Sequence, residues 1–526
     1  MNSRTLLAAA ALAVAATPAL AQTTPKRGGE LKFAVSAEPP NYDCHANTSF
    51  AFIHPVRPHY NTLLKFDAPN YPKIVGDLAA SWTVSPDGLS YTFKLHDGVK
   101  FHDGSGLTSE DVKATYDRIR DPQGGARSVR KAAYDDIASI ETPDRLTAVV
   151  RLKKPNASML ANFASPWDCV YSAAKLKQDP KFPERNILGT GPFTFVQHAA
   201  GSHWIGKRFD GYFVKGQPYL DSFRAIFIRG APMVNALAAG EVMIEFRGHS
   251  PADRDRLLGS MKDTAQVMET PWVCNLVVSF NGKKKPFDDV RVRKALSLAI
   301  DRWGGAQALE KIALVRHVGG VLRPGYELAV SNADLEKLPG FSRNVEASRA
   351  EARRLLKEAG AENLVFKLTN RNIAMPYTPV GVFLVDQWRQ IGLNVQHEQL
   401  DTKLYLAAQQ KDNPTYDAAL DFNCDFMDEP NLQLIKYLSH DRSPINYAGY
   451  VDRKLDELYD RQSGELDKNK RAAILREFER HVLEQSYIIP TIWWHRIIVA
   501  NKKFRDWEIT PSHYLNQDLA DVWLDQ

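Results

Sequence analysis

The chain has 526 residues, 44% of them apolar and 25% charged, with a formal net charge of +5. That charge is small for the length and gathers into no dense Lys/Arg stripe, which gives nucleic-acid binding no support. A single core stops growing near ~250–300 residues, so two or three lobes are expected.

The first residues read as an address. Arg4 precedes an apolar run over 6–16 that is too short to span a bilayer. Pro18-Ala-Leu-Ala21 then offers small residues where a signal peptidase reads, so cleavage is expected after Ala21. No Cys follows the run to take a lipid, and no later stretch approaches ~18 apolar residues. The mature chain is expected outside the cytoplasm.

A strand is predicted near Leu31-Lys-Phe-Ala-Val35. Leu89, Tyr91, Phe93 and Leu95 alternate with polar residues after the turn Pro86-Asp-Gly88, as a half-buried strand requires. Thr108 with Asp111 forms a variant capping box, and Val112, Thr115, Tyr116 and Ile119 share one face of the helix that follows. A strand over 147–152 stops at Pro155. From Gly189 a turn enters another strand, and 275–281 is a further one. Asp288 or Asp289 caps a helix whose Val292, Ala295, Leu296, Ala299 and Ile300 form one buried stripe. Helices are then predicted over 345–359, 380–391, 402–410 and 468–485, and strands over 365–368, 395–400, 417–422 and 488–493. Such alternation indicates mixed α/β lobes.

Enzyme signatures are missing: no GxSxG, HExxH, GxxxxGK[ST] or GxGxxG is present. His54-Pro-Val-Arg-Pro-His59 lacks helical spacing and a third ligand, so no metal site is expected there. His96 and His102 read as structural. Cys44, Cys169, Cys274 and Cys424 show no CxxC spacing, which argues against structural zinc. In an oxidising compartment they are candidates for disulfides. No cofactor is implied.

Four segments in order resemble the family 5 solute-binding proteins of ABC importers. They are Gly28-Gly-Glu-Leu-Lys-Phe33 with Asp43; Val75-Gly-Asp-Leu-Ala-Ala-Ser-Trp82 through Leu107-Thr-Ser-Glu-Asp-Val112; Gly189-Thr-Gly-Pro-Phe193; and Asn281 with Pro286-Phe-Asp-Asp-Val-Arg-Val-Arg-Lys-Ala-Leu296 and Ala299-Ile-Asp-Arg302. The resemblance implies a two-lobed periplasmic-binding-protein clamshell of the type II-like class, α/β, with a small extra domain. By that analogy lobe I is 22–58, 186–272 and 495–526, the extra domain is 59–185, and lobe II is 273–494. It also implies a periplasmic monomer that closes on a peptide or peptide-like ligand and docks on membrane permease subunits.

The same resemblance nominates site residues. Peptide-binding members use an Asp after a strand of the second lobe to hold the ligand's ammonium group. Asp425 matches when the strand is aligned, and Asp428 is the rival; the alternative for Asp425 is a helix cap or a fixed Arg partner. Cys424 precedes it, and a Cys274–Cys424 disulfide is implied. Nothing in the sequence places Cys44 beside Cys169. Of Trp493 and Trp494, one is expected in the core and one on the pocket. Ser49 and Phe50 match a position that contacts the ligand's leading end. Other readings remain at this point: the same fold binding an opine, a metal chelate, haem or an aromatic acid; a secreted hydrolase; or a sensor.

Overall fold

A computed structural model describes residues 24–373, 375–410 and 414–526. The leader and the expected cleavage point after Ala21 lie outside these residues. Two large mixed sheets, one per lobe, are joined by a pair of long antiparallel strands, Ala265–Phe280 and Ile488–Asn501.

The first lobe carries a five-stranded sheet in the order Ile244–Glu245, Glu30–Val35, Ser222–Phe227, His203–Arg208, Phe193–Ala199. Its parallel pairs centre on Glu30–Val35, whose Leu31, Phe33 and Val35 enter the core with Phe223 and Phe246. The Gly189-Thr-Gly-Pro turn leads into Phe193–Ala199. A Cβ on Gly189 or Gly191 would stand within 2.1–2.4 Å of the backbone of His59 or Tyr60, so that motif is a close backbone crossing that only glycine permits.

The extra domain is a four-stranded antiparallel sheet, Ala79–Val84, Ser90–Leu95, Thr147–Leu152, Ile137–Asp144. The helix Ser109–Arg120 packs on it through Val112, Tyr116 and Ile119, and the Thr108/Asp111 capping box is formed. Gly88 takes φ +68° in the turn before Ser90–Leu95.

The second lobe is built on six strands in the order Val315–His317, Ile488–Asn501, Ala265–Phe280, Ala418–Cys424, Val365–Arg371, Asn394–Leu400. The helix Val290–Leu298 is capped by the Asp289 side chain, and the whole predicted stripe from Val292 to Ile300 is buried in this lobe's core. The chain ends the strand 417–422 two residues later than its composition indicated, at Cys424, because Cys424 still pairs in register with Cys274.

The connecting strands belong to both lobes. Ile489 and Ile492 fill the second core, while Ile498 and Ala500 fill the first. Their pairing runs unbroken from Ala265–Asn501 to Pro271–His495, shifts, and resumes at Asn275–Trp493. The register break at Pro271, which has no N–H to donate, marks the crossing between the lobes.

Candidate ligand-binding site

Between the lobes lies a cavity of about 1270 Å³. The first lobe contributes Ser49, Phe50, Arg247 and Tyr514; the extra domain contributes Arg130 and Trp167; the second lobe contributes Arg371, Tyr377, Phe422 and Asp425; and Trp272 and Trp494 form the floor at the crossing.

The strand Ala418–Cys424 carries Asp425 to the wall. Its terminal Cys424 is disulfide-bonded to Cys274, and the Asp425 N–H donates to the Val273 carbonyl at 3.1 Å. Two adjacent residues at the start of the turn are thus fixed to the crossing strand. No cation among the described residues pairs with the Asp425 carboxylate. Burial, and after it the charge of Asp428, pushes this carboxyl up to about 8.

Asp428 does not line the cavity. Its carboxylate is held by Arg323 through Nε and Nη2 at 2.8 Å, with both side chains buried. A carboxylate so satisfied has no need of a ligand cation, and its N–H donates to the Tyr71 hydroxyl of the extra domain at 2.7 Å. Trp493 is likewise away from the cavity: 1% exposed, it donates from Nε1 to the Gly320 carbonyl at 3.1 Å. Trp494 faces the other way onto the cavity, against Trp272 at 5.5 Å and Tyr377 at 6.1 Å. Strand alternation separates the two neighbours. Ser49 lines the cavity too, but its hydroxyl caps the helix Phe50–Val56 by accepting from the Ala51 N–H. Phe50 lies beneath the Arg247 guanidinium at 5.1 Å.

His54 and His59 serve the scaffold. His54 Nε2 bonds the His513 carbonyl, and His59 bonds the Phe193 carbonyl and accepts from Trp204 Nε1. Burial holds both rings down at about 3, neutral at physiological pH.

Three arginines of the wall escaped sequence reading. Arg130 is cradled by the carbonyls of Cys44, His45 and Asn47 and stacks on Trp167 at 4.5 Å. The Cys44–Cys169 disulfide fastens that cradle. Arg371 ends the strand Val365–Arg371 and sits over Tyr377 at 4.5 Å and Phe422 at 4.7 Å. Arg247 follows Ile244–Glu245; its carbonyl is gripped by the buried Arg496 of the crossing strand at 3.0 Å. Arginines are frequent along the chain, and only the topology converges these three.

The edge of the cavity is bridged between the extra domain and the second lobe. Ser158 of the extra domain donates to Glu429, which also pairs with Arg471 at 2.6 Å, and the Ala157 N–H donates to the Ser463 carbonyl at 2.8 Å.

Residues 73–443 match the family model of the bacterial extracellular solute-binding proteins, family 5 Middle. The chain belongs to this family. Among curated relatives, the glutathione-binding protein GsiB of Pectobacterium atrosepticum is 32% identical over 355 residues, which is 65% of this chain and 63% of that protein's length. The substrate binding protein CtaP of Listeria monocytogenes superposes with a TM-score of 0.82 at 20% identity, covering 95% of this chain and all of that one. The PBP AgaA from A.tumefacien R10, solved with agropinic acid, gives 0.76 at 25% identity, covering 95% and 99%. The two-lobed fold is therefore that of the periplasmic binding proteins. No helix among the described residues is long and apolar enough to cross a membrane.

Proposed function

We propose that the chain is exported, loses residues 1–21, and works in the periplasm as a monomeric binding protein of an ABC importer. It captures a peptide or peptide-like solute between its lobes and presents the closed form to the membrane permease. No bond is made or broken in this cycle. The observation that carries the reading is Asp425: a carboxylate fixed at a strand end, lining a large interlobe cavity, with no cation beside it among the described residues. Burial holds such a group as the neutral acid while the cleft is empty, and a ligand ammonium favours its ionised form through a charge-assisted hydrogen bond.

Ligand contacts with both lobes exist only when the lobes meet, so binding shifts the population toward closure. The moving bodies are 22–58, 186–272 and 495–526 with the extra domain 59–185 on one side, and 273–494 on the other. That GsiB is named for glutathione and AgaA was solved with agropinic acid supports an amino-acid-derived solute.

Native mass spectrometry of the protein isolated from periplasm tests the reading. A co-purifying small molecule carrying a primary or secondary amine is expected, and its re-addition raises the melting temperature. Turnover of that molecule by the pure mature chain, or a bound solute with no amine, would contradict it.

A further inference from the structure

The wall of the cavity is unbalanced in a way that one ammonium does not answer. Arg130, Arg247 and Arg371 line it, and no carboxylate among the described residues lies within ion-pair distance of any of them. The other cations of the lining are already neutralised, Lys154 by Asp136 and Arg442 by Asp460. On the acidic side stand Asp425 and, at the exposed rim, Asp135.

The placement of two of these arginines is specific. Arg247 stands on the first lobe and Arg371 on the second. Arg371 donates to the Tyr377 hydroxyl, and the charge of Arg247 also acts on that same phenol. Arg247 further acts on Tyr514, as do Asp425 and Arg130. The two guanidinium groups thus line one interlobe cavity from opposite lobes, and the acid of Asp425 lines the same cavity.

We propose that the cleft selects an amino-acid-derived ligand with one ammonium group and at least two carboxylates, one of them clamped between Arg247 and Arg371. This rests on the binding reading above and names the solute's charge class. Like charges on facing lobes oppose closure; an anion between them replaces one repulsion by two attractions. An arginine fork matches a carboxylate bidentately, which makes the clamp selective for that group. Ligand charge and lobe closure are coupled through this pair.

Two measurements test it on the full mature chain. In the first, calorimetry compares isosteric probes, Ala-Glu against Ala-Gln and glutathione against its glycine amide. The acid of at least one pair is expected to bind ten-fold or more tightly than its amide, and Arg247→Gln is expected to erase that difference. Amides bound as tightly as acids, or a difference that survives in Arg247→Gln, would overturn the proposal. Failure of all four probes would sink the peptide-like reading and leave the clamp to the second measurement, which needs no ligand. Small-angle scattering of the ligand-free protein should show a smaller radius of gyration for Arg247→Gln than for wild type, because the repulsion is relieved. Identical scattering curves would overturn the clamp.

Discussion

Cys424 lies opposite Cys274 in antiparallel register and is disulfide-bonded to it, and Asp425 is the next residue. The bridge spans 150 residues of sequence, so its loss releases the largest loop-closure constraint in the lobe. Replacing both cysteines by Ser should lower unfolding stability by at most ~5 kcal/mol on the chain-entropy model. It should also weaken ligand binding, since the turn carrying Asp425 loses one of its two anchors. Urea titration and calorimetry on the double variant check both effects.

Asp425 and Asp428 are three residues apart and should respond oppositely to mutation. Asp428 is satisfied by Arg323, so Asp428→Ala leaves a buried guanidinium alone and should destabilise the protein by ~3–5 kcal/mol. Asp425 has no such partner, so Asp425→Asn should raise the melting temperature of the ligand-free protein above pH 8, where the wild-type carboxylate is charged. Thermal melts at that pH distinguish them; equal destabilisation by both would contradict the assignment.

A proton should leave when ligand binds. The Asp425 carboxyl is held up at about 8 by burial, against 3.8 ordinarily. Between about pH 4 and about pH 8 the folded ligand-free protein therefore keeps a proton that the unfolded chain has lost, and stability falls as pH rises across that window, levelling above it. An ammonium ligand requires the carboxylate. At about pH 6.5, binding should release a proton and tighten as pH approaches 8. Calorimetry in two buffers of different ionisation enthalpy reads that proton, and Asp425→Asn should abolish it.

The mouth of the cleft carries its own closing contacts. Ser158 donates to Glu429 at 2.5 Å across the gap between the extra domain and the second lobe. Ser158→Ala should cost the closed form ~1 kcal/mol and weaken affinity about five-fold without touching the ligand. Calorimetry checks this, and an affinity within two-fold of wild type would remove Ser158 from the closing energetics.

Much of the scaffold was legible because it is local. The Thr108/Asp111 capping box, the Asp289 cap and the stripe from Val292 to Ile300 depend on residues a few positions apart, where periodicity and capping act. Strand ends were less legible. Ile488–Asn501 outruns the expected 488–493 because its second half enters the other lobe, which no local pattern records. The cleft was legible where family motifs flank it, at Ser49, Phe50, Cys424, Asp425 and Trp494, all of which line the cavity. Arg130, Arg247 and Arg371 lie 117 or more residues apart in sequence, and each sits in an unremarkable local context. The pairing of Cys44 with Cys169 was hidden for the same reason: 125 residues separate them, and the contact follows from docking the extra domain on the first lobe.

Calorimetric titration of the co-purified amine-bearing solute into wild type and Asp425→Asn bears most directly on what the cleft does. The carboxylate–ammonium contact predicts a loss of ~2–5 kcal/mol in binding, with the fold intact by circular dichroism. Equal affinity of the two proteins for that solute would contradict it.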